Sequence, residues 1–127
     1  MNIYLIASEA AKALDFYVRG LGAEELVRWI DPENGKIGRS EFRVGGQHLF
    51  LADDYESMAA LGVKSPSALG GTSLTLWLEV EGLEAARDRA MAAGATLLAD
   101  IETVSVAEGR RCRLKDPAGH VWTLTGP

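Results

Sequence analysis

The chain has 127 residues, 47% hydrophobic and 24% charged, which suggests one domain or two small fused halves able to bury a core. Its net charge of −5 argues against a surface for nucleic acid or anionic membranes. A single cysteine, no basic leader and no apolar run near ~20 residues exclude an internal disulfide, a signal peptide and a membrane span, so we expect a cytoplasmic protein.

The chain begins with a strand and a helix. Asn2 to Ala7 is a β-branched and aromatic run typical of a strand, and Ser8 is placed to cap a helix over about 9–21. Gly22 then stops that helix. An apolar stripe along the helix is predicted from Ala11, Leu14, Val18 and Leu21.

Three more strands and a second round of the same pattern follow. The turn signals DPENGK and Gly45-Gly46 separate strands predicted at 23–30, 37–44 and 47–53. The second round consists of a strand over 72–80, a helix with an apolar stripe, and strands over 95–104, 109–116 and 120–125. That stripe is Leu83, Ala86, Ala90 and Ala93. Two β-α-β-β-β halves predict an α+β fold of two modules with pseudo-twofold symmetry.

The predicted boundaries are module one at 1–54, a linker at 55–71 and module two at 72–127, within a single domain over 1–127. The linker region, DDYESMAALGVKSPSALGG, includes YESMAALG, which favours a helical turn. Segments this long are either plain crossovers or elements of a binding site. Both interpretations, a connecting linker and a lid over a ligand, stay open.

Four stretches, taken in order, resemble the vicinal oxygen chelate superfamily, which includes glyoxalase I, extradiol dioxygenases and bleomycin-resistance proteins. They are SEAAKALDFYVRGLGAEEL, KSPSALGGT, AMAAGATLL and LKDPAGHVWTL. The resemblance covers essentially the whole chain. It implies cupped mixed sheets with the helices outside, a small-molecule ligand and commonly a homodimer.

In metal-dependent relatives, a histidine from the first strand and a glutamate from the last strand of each module bind one divalent ion. The matching positions here hold Asn2, Phe50, Thr75 and Thr123, with Trp77 at a place that is histidine in some relatives. Asparagine, threonine and phenylalanine do not suit a transition metal, so we expect no metal and no cofactor. A weak metal site remains open only if His48 pairs with Glu79 or Glu41.

Strand alternation sorts the remaining side chains into two faces. The helix-side set is aliphatic or aromatic, as a core requires: Ile3, Leu5, Ala7, Leu74, Leu76, Leu78, Val80 and Trp122. Ile6 falls with the cup-side set, which otherwise mixes aromatic and polar groups. The predicted ligand-binding residues are Tyr4, Phe50, Trp77, Asn2, Thr75, Thr123, Glu79 and His48. Aromatic walls with a few polar groups are typical of a ligand pocket, although a dimer interface or a filled core is the alternative.

Near the C-terminus, Asp116 and Pro117 fit a type I turn, and His120 is expected to support the hairpin through backbone hydrogen bonds. Trp29 cannot be placed, because a bulge would change its face. Cys112 is expected to be buried and inert. A basic strand is either a solvated face or an anion-binding rim; it contains Arg110, Arg111, Arg113 and Lys115.

Two functions fit these residues. The first is a metal-independent binding protein that sequesters an aromatic or amphipathic, antibiotic-like small molecule, with a homodimer as the expected assembly. The alternative is an enzyme of the same superfamily, a lyase, isomerase or dioxygenase, that uses acid–base chemistry or a weak metal site. For that alternative, Glu79 and Tyr4 are the candidate catalytic pair.

Overall fold

The computed structural model describes every residue from Met1 to Pro127. The first half contains β1 (Ile3–Ala7), α1 (Ala10–Leu21), β2 (Glu24–Ile30), β3 (Ile37–Val44) and β4 (Gln47–Asp53). Two short helices follow, α2 (Glu56–Ala59) and α3 (Pro66–Leu69). The second half contains β5 (Thr75–Glu79), α4 (Leu83–Ala92), β6 (Thr96–Ser105), β7 (Gly109–Lys115) and β8 (Val121–Thr125). The predicted α+β fold with repeated β-α-β-β-β order is therefore confirmed.

The two halves form two mixed four-stranded sheets with equivalent strand orders, β1-β4-β3-β2 and β5-β8-β7-β6. In each sheet the first strand pairs in parallel with the last, and the other neighbours are antiparallel. The registers correspond as well, since Tyr4 lies beside Phe50 in one sheet and Trp77 beside Thr123 in the other. Each sheet leaves its first strand, β1 or β5, at an edge.

One hydrophobic core joins the halves. Helices α1 and α4 pack against each other, and the core cluster draws on both sheets. The predicted stripe of α4 is confirmed, because Leu83 and Ala90 are buried and Ala86 and Ala93 pack against them. Cys112 lies in this core, where burial raises the pKa of its thiol. No helix in the structure is long and apolar enough to cross a membrane.

The stripe predicted for α1 is displaced around the helix. Ala11 is exposed, whereas Leu14 is fully buried. The buried set is Ala10, Ala13, Leu14, Phe16, Tyr17 and Gly20. The cause is the second helix: Gly20 approaches Ala93 closely enough that even an added Cβ would be crowded at 3.1 Å. The buried surface of α1 therefore packs against both its own sheet and α4.

The start of α1 also differs from the prediction. Ser8 does not cap the helix; Glu9 occupies the N-cap position and makes no side-chain cap hydrogen bond. Instead Asp53, at the end of β4, accepts hydrogen bonds from the backbone N–H groups of Ala10 at 2.8 Å and Ile37 at 2.7 Å. A carboxylate from a distant strand thus supplies the acceptor that a helix N-terminus needs.

The turn before β8 ties the modules together through a buried carboxylate. Asp116 accepts hydrogen bonds from the Tyr17 hydroxyl at 2.7 Å and the Trp122 indole at 2.9 Å. Its other oxygen accepts from the backbone N–H groups of Ala118 and His120, at 2.8 and 3.0 Å. Trp122 is buried as predicted. Asp116 is therefore more than a turn residue, because it links α1 to the second sheet.

The ring of His120 makes a further link between modules. Its Nε2 lies 2.8 Å from the backbone oxygen of Ile6, and the ring is buried. Because a carbonyl can only accept, Nε2 carries the proton and donates. Nδ1 is buried without a hydrogen-bond partner.

The segment between the sheets is ordered. The helical turn predicted in YESMAALG corresponds to α2, whereas α3 has no counterpart among the predicted elements. Ser65 caps α3 by accepting from the backbone N–H of Ala68 at 3.3 Å, and Pro66 opens the helix. A Ser-Pro pair is a common helix start, and four residues are too few to show a periodic pattern.

Candidate functional site

Each sheet has one surface turned away from α1 and α4. We call the surface of the first sheet face one, comprising Tyr4, Ile6, Trp29, Arg39, Glu41, His48 and Phe50. We call the surface of the second sheet face two, comprising Thr75, Trp77, Glu79, Arg111, Arg113, Lys115 and Thr123. These are the faces that strand alternation predicts for the ligand site. Leu74 departs from the pattern, since it precedes β5 and is 46% exposed instead of buried.

Phe50 is the centre of face one. Tyr4 meets its ring edge-on at 5.8 Å between centroids, and His48 does so at 5.3 Å. The guanidinium of Arg39 lies 5.1 Å from the same ring centroid. These contacts make a compact aromatic platform with a cation at one edge.

His48 and Glu41 form the predicted pair, with Nε2 and Oε1 2.8 Å apart. The other carboxylate oxygen of Glu41 is held by Arg39 at 3.1 Å. A metal ion bound by His48 and Glu41 would therefore lie next to the positively charged Arg39, and the repulsion between the two cations opposes metal binding. Glu79, the alternative partner, lies on the other sheet.

On face two the hydroxyl oxygens of Thr75 and Thr123 lie 2.9 Å apart and hydrogen-bond to each other. Thr123 is completely buried, while the neighbouring Trp77 remains 57% exposed. The register Trp77–Thr123–Arg113 forms a row across three strands. An exposed indole beside the paired hydroxyls of the exposed Thr75 and the buried Thr123 offers a surface on which a planar group can stack.

The side chains at the superfamily's metal positions do not fit a divalent ion. Two of them, Thr75 and Thr123, are neutral hydroxyls already bonded to each other. Phe50 has no donor atom, and Asn2 precedes β1 and is exposed. Nor does any group of three His, Cys, Asp or Glu side chains come together in the structure. Structural and catalytic zinc sites need three or four such ligands.

A pocket of about 230 Å³ opens at one end of face one, beneath α2. Tyr4, Ile6 and Trp29 supply its sheet wall, and Tyr55 and Met58 supply the wall from the linker segment. Ile6, predicted to face an open cup, is thereby only 3% exposed. The segment between the modules thus contributes to a candidate site, which a plain connection would not do.

Trp29 is the functional candidate that alternation could not place. Its ring lies against Gly38, where an added Cβ would overlap the indole. The register of β2 against β3 shifts on both sides of this region, between Glu25 and Val27 and between Trp29 and Ile30. Irregular pairing breaks the period-2 pattern, so Gly38, next to the register partner Arg39, is the sequence feature that could have signalled the contact.

A carboxylate stands at the mouth of this pocket. Asp31 accepts hydrogen bonds from the backbone N–H of Glu33 at 3.0 Å and the Tyr55 hydroxyl at 2.8 Å. Those bonds lower the pKa of Asp31, the Glu33 bond most. Burial, followed by the bond to Asp31, raises the pKa of Tyr55. At neutral pH the pair is a carboxylate and a neutral phenol.

The predicted ligand-binding residues are divided between the two faces. Tyr4 lines the pocket under α2, whereas Thr75, Trp77 and Glu79 line a separate pocket of about 330 Å³ between β5 and the hairpin of β3 and β4. Tyr4 and Glu79, the candidate acid–base pair, therefore lie in different pockets, and the Tyr4 hydroxyl bonds the Gly38 carbonyl. Within one chain the predicted ligand-binding residues therefore do not line a single shared pocket.

The predicted basic strand also divides. Arg110 pairs with Glu84 of α4, and Arg111 pairs with Glu102 at 3.1 Å. Arg113 and Lys115 have no carboxylate partner and lie on face two. On β7, two arginines are therefore paired with carboxylates, and two basic residues have no carboxylate partner.

Paired βαβββ modules with equivalent sheets, and Asn2, Phe50, Thr75 and Thr123 where metal ligands would stand, define a glyoxalase-like protein lacking the usual ligand set. Residues 2–124 match the Glyoxalase/Bleomycin resistance protein/Dioxygenase superfamily. The chain belongs to that superfamily.

Similar proteins support the same family assignment. An uncharacterised Mycobacterium bovis protein is 36% identical over 127 residues, covering 100% of this chain and 82% of its own length. Among solved structures, TioX from Micromonospora sp. ML1 has a TM-score of 0.70 at 24% identity, covering 100% of this chain and 94% of its own. The fosfomycin resistance protein FosX from Listeria monocytogenes has a TM-score of 0.74 at 16% identity, covering 98% and 90%. At these identities the two structures share the fold.

Proposed function

We propose that this chain is a metal-independent small-molecule binding protein that holds an aromatic or amphipathic, antibiotic-like ligand. The observation that carries the proposal is the chemistry at the superfamily's ligand positions. Thr75 and Thr123 bond each other, and Phe50 anchors an aromatic cluster. Beside them Trp77 is 57% exposed and Tyr4 43%. Stoichiometric binding needs affinity without transition-state selectivity, so it does not require the missing ligands.

The name of the matching family and that of one similar protein agree with this direction. The superfamily description includes bleomycin resistance, and the FosX structures are of a fosfomycin resistance protein. Those activities belong to those proteins. For this chain they make small organic antibiotics the first class of ligand to test, and sequestration the first activity.

The proposal includes a cytoplasmic homodimer with two composite sites. Tyr4 of face one lines the pocket beneath α2, whereas Trp77 of face two lines a different pocket at the edge of β5, together with core-side residues such as Leu78. Both β1 and β5 are edge strands with unpaired backbone groups on one side. Edge strands readily pair with another chain. In the dimer, face one of one protomer lies opposite face two of its partner. Native mass spectrometry tests this directly, and a strictly monomeric protein at micromolar concentration contradicts it.

A ligand screen tests the binding function. Amphipathic aromatic compounds are added while the tryptophan fluorescence and melting temperature are followed. We expect a hit to shift both signals, and Trp77→Ala to weaken its binding about tenfold, or ~1.4 kcal/mol. Leu61→Ala is the control, because Leu61 is a 75% exposed side chain outside both faces. A metal analysis of the purified protein giving one transition-metal equivalent per chain overturns the metal-independent proposal.

A further inference from the structure

Arg113 stands out among the arginines because neither a carboxylate nor a backbone carbonyl accepts from its guanidinium. Seven arginines form ion pairs, and Arg89 donates to the backbone oxygen of Arg19 at 2.8 Å. Arg113 donates only to the hydroxyl of Thr123, at 3.4 Å. A half-buried guanidinium in a protein of net charge −5 would readily find an acid if its position were only structural. Its planar fork is instead available to an oxyanion.

The surroundings of Arg113 supply the rest of a binding site. Thr123 lies between Arg113 and Trp77 in one cross-strand row. Two strand spacings separate the ends of that row by about 10 Å, the length of a bicyclic aromatic acid. The exposed indole of Trp77 offers a stacking surface at one end, and the guanidinium offers two parallel donors at the other.

The charges on face two favour the same orientation. Lys115 lies on the same side of β7, in the next row from Arg113. The carboxylate of Glu102 is neutralised by Arg111 at 3.1 Å. Glu79 lies on the other side of the Trp77 row, towards the opposite end of the face. An anion is therefore drawn to the Arg113 and Lys115 end.

We propose that face two binds an aromatic oxyanion, with its ring against Trp77 and its carboxylate or phosphate group on Arg113. The hydroxyls of Thr75 and Thr123, held 2.9 Å apart, orient each other beside the bound anion. This inference rests on the proposed binding function and names the chemical class of its ligand. In this chain a guanidinium thus takes up ligand oxygens beside Thr123, a position that holds a metal ligand in metal-dependent relatives.

Three probes of matched shape test the inference by isothermal titration calorimetry at constant ionic strength. They are 2-naphthoate, 2-naphthyl phosphate and the neutral 2-naphthamide. We expect at least one anion to bind tenfold or more tightly than the amide. Arg113→Gln should reduce that preference to within about twofold, while Trp77→Ala should weaken anion and amide alike. Arg110→Gln removes the same charge from the same strand but on the other face, and should leave the preference intact.

The outcomes separate this inference from the broader function. Equal binding of anion and amide, or an anion preference that survives Arg113→Gln, overturns the oxyanion site and leaves small-molecule binding standing. Binding of none of the three probes also overturns it, while the broader ligand screen still decides the proposed function. Folding of Arg113→Gln is checked by its melting temperature, and Arg113→Lys serves as a second variant, since it keeps the charge but loses the planar fork. Retention of full anion preference by the lysine variant would reduce the site to simple charge attraction and contradict the bidentate geometry.

Discussion

The hydroxyl of Tyr17 in α1 donates a 2.7 Å hydrogen bond to Asp116, 99 residues further along the chain. Both groups are buried, and the bond joins module one to the turn that precedes β8. The Tyr17 ring also stacks on Phe42 at 4.8 Å and lies 5.5 Å from Trp122. Through Tyr17 the first helix thus contacts both sheets.

Replacing Asp116 should be among the most destabilising single changes in the chain. Asp116→Ala leaves two side-chain donors and two backbone donors buried without an acceptor. We expect a loss of at least about 3 kcal/mol in the free energy of unfolding, measured by urea denaturation. Asp88→Ala, at an exposed ion pair with Arg87, should cost under about 1 kcal/mol. Similar losses for both variants would contradict a special role for Asp116.

The Tyr17 phenol should make the fold sensitive to alkali. Burial, then the neighbouring Asp116 charge and the hydrogen bond to it, raises the pKa of Tyr17 well above its ordinary value. The unfolded phenol loses its proton near pH 10 while the folded one keeps it. The stabilisation of the folded state by the protonated Tyr17 phenol is therefore complete below about pH 10 and falls as the pH rises further. Tyr17→Phe should be less stable at pH 7 but lose less stability between pH 9 and 11.

Tyr55→Phe is the comparison for that measurement. Burial raises the pKa of Tyr55 as well, but its ring is only partly buried and contacts the exposed end of face one. We expect the stability of Tyr55→Phe to fall between pH 9 and 11 almost as much as that of the parent protein. If the free energy of unfolding of Tyr17→Phe fell as steeply above pH 10 as that of the parent protein, another group would be the main cause of the alkaline loss of stability.

Enlarging Gly38 should displace Trp29 and close the pocket beneath α2. An added Cβ would overlap the Trp29 ring. We expect Gly38→Ala to move the Trp29 indole N–H signal in a ¹H–¹⁵N spectrum and to weaken any ligand held in that pocket. Gly82→Ala is the matched control, because its Cβ meets nothing nearer than Ala85 at 3.9 Å. An unmoved Trp29 signal in Gly38→Ala would contradict the packing.

Asp53 should tolerate neither alanine nor its amide analogue. Both carboxylate oxygens accept from backbone N–H groups, those of Ala10 and Ile37. Asparagine has one oxygen and one NH₂ group, so it always presents a donor to a donor. We therefore expect Asp53→Asn to lower the free energy of unfolding by about 1–2 kcal/mol, close to the alanine variant. The control is Asp15→Asn on the exposed side of α1, which should have little effect.

The sequence predicts the architecture because each half repeats simple local signals. The periodic helices end at glycines, and strand alternation correctly places Trp77 and Thr123 on one face and Trp122 on the other. Such patterns depend on neighbours a few residues apart. They also suffice for the superfamily resemblance, which the match over residues 2–124 confirms.

Other parts of the site depend on contacts that no local pattern contains. Asp53 reaches the α1 terminus across 43 residues, and Asp116 reaches Tyr17 across 99. Bulges in β2 remove the alternation that would have placed Trp29. Tyr55 and Met58 enter a pocket only because α2 folds over face one. The division of the predicted ligand residues between two faces likewise follows from how the modules pack.

The common core of the two sheets has a consequence for how the chain unfolds. The duplicated pattern suggests halves that could be separated, yet α1 packs on α4, and His120 bonds to the Ile6 carbonyl. Each half alone would expose apolar surface that the other covers. A protease cut at the exposed Leu61 should therefore leave two fragments that stay associated and melt in one cooperative transition, as a split protein does, instead of releasing independent domains.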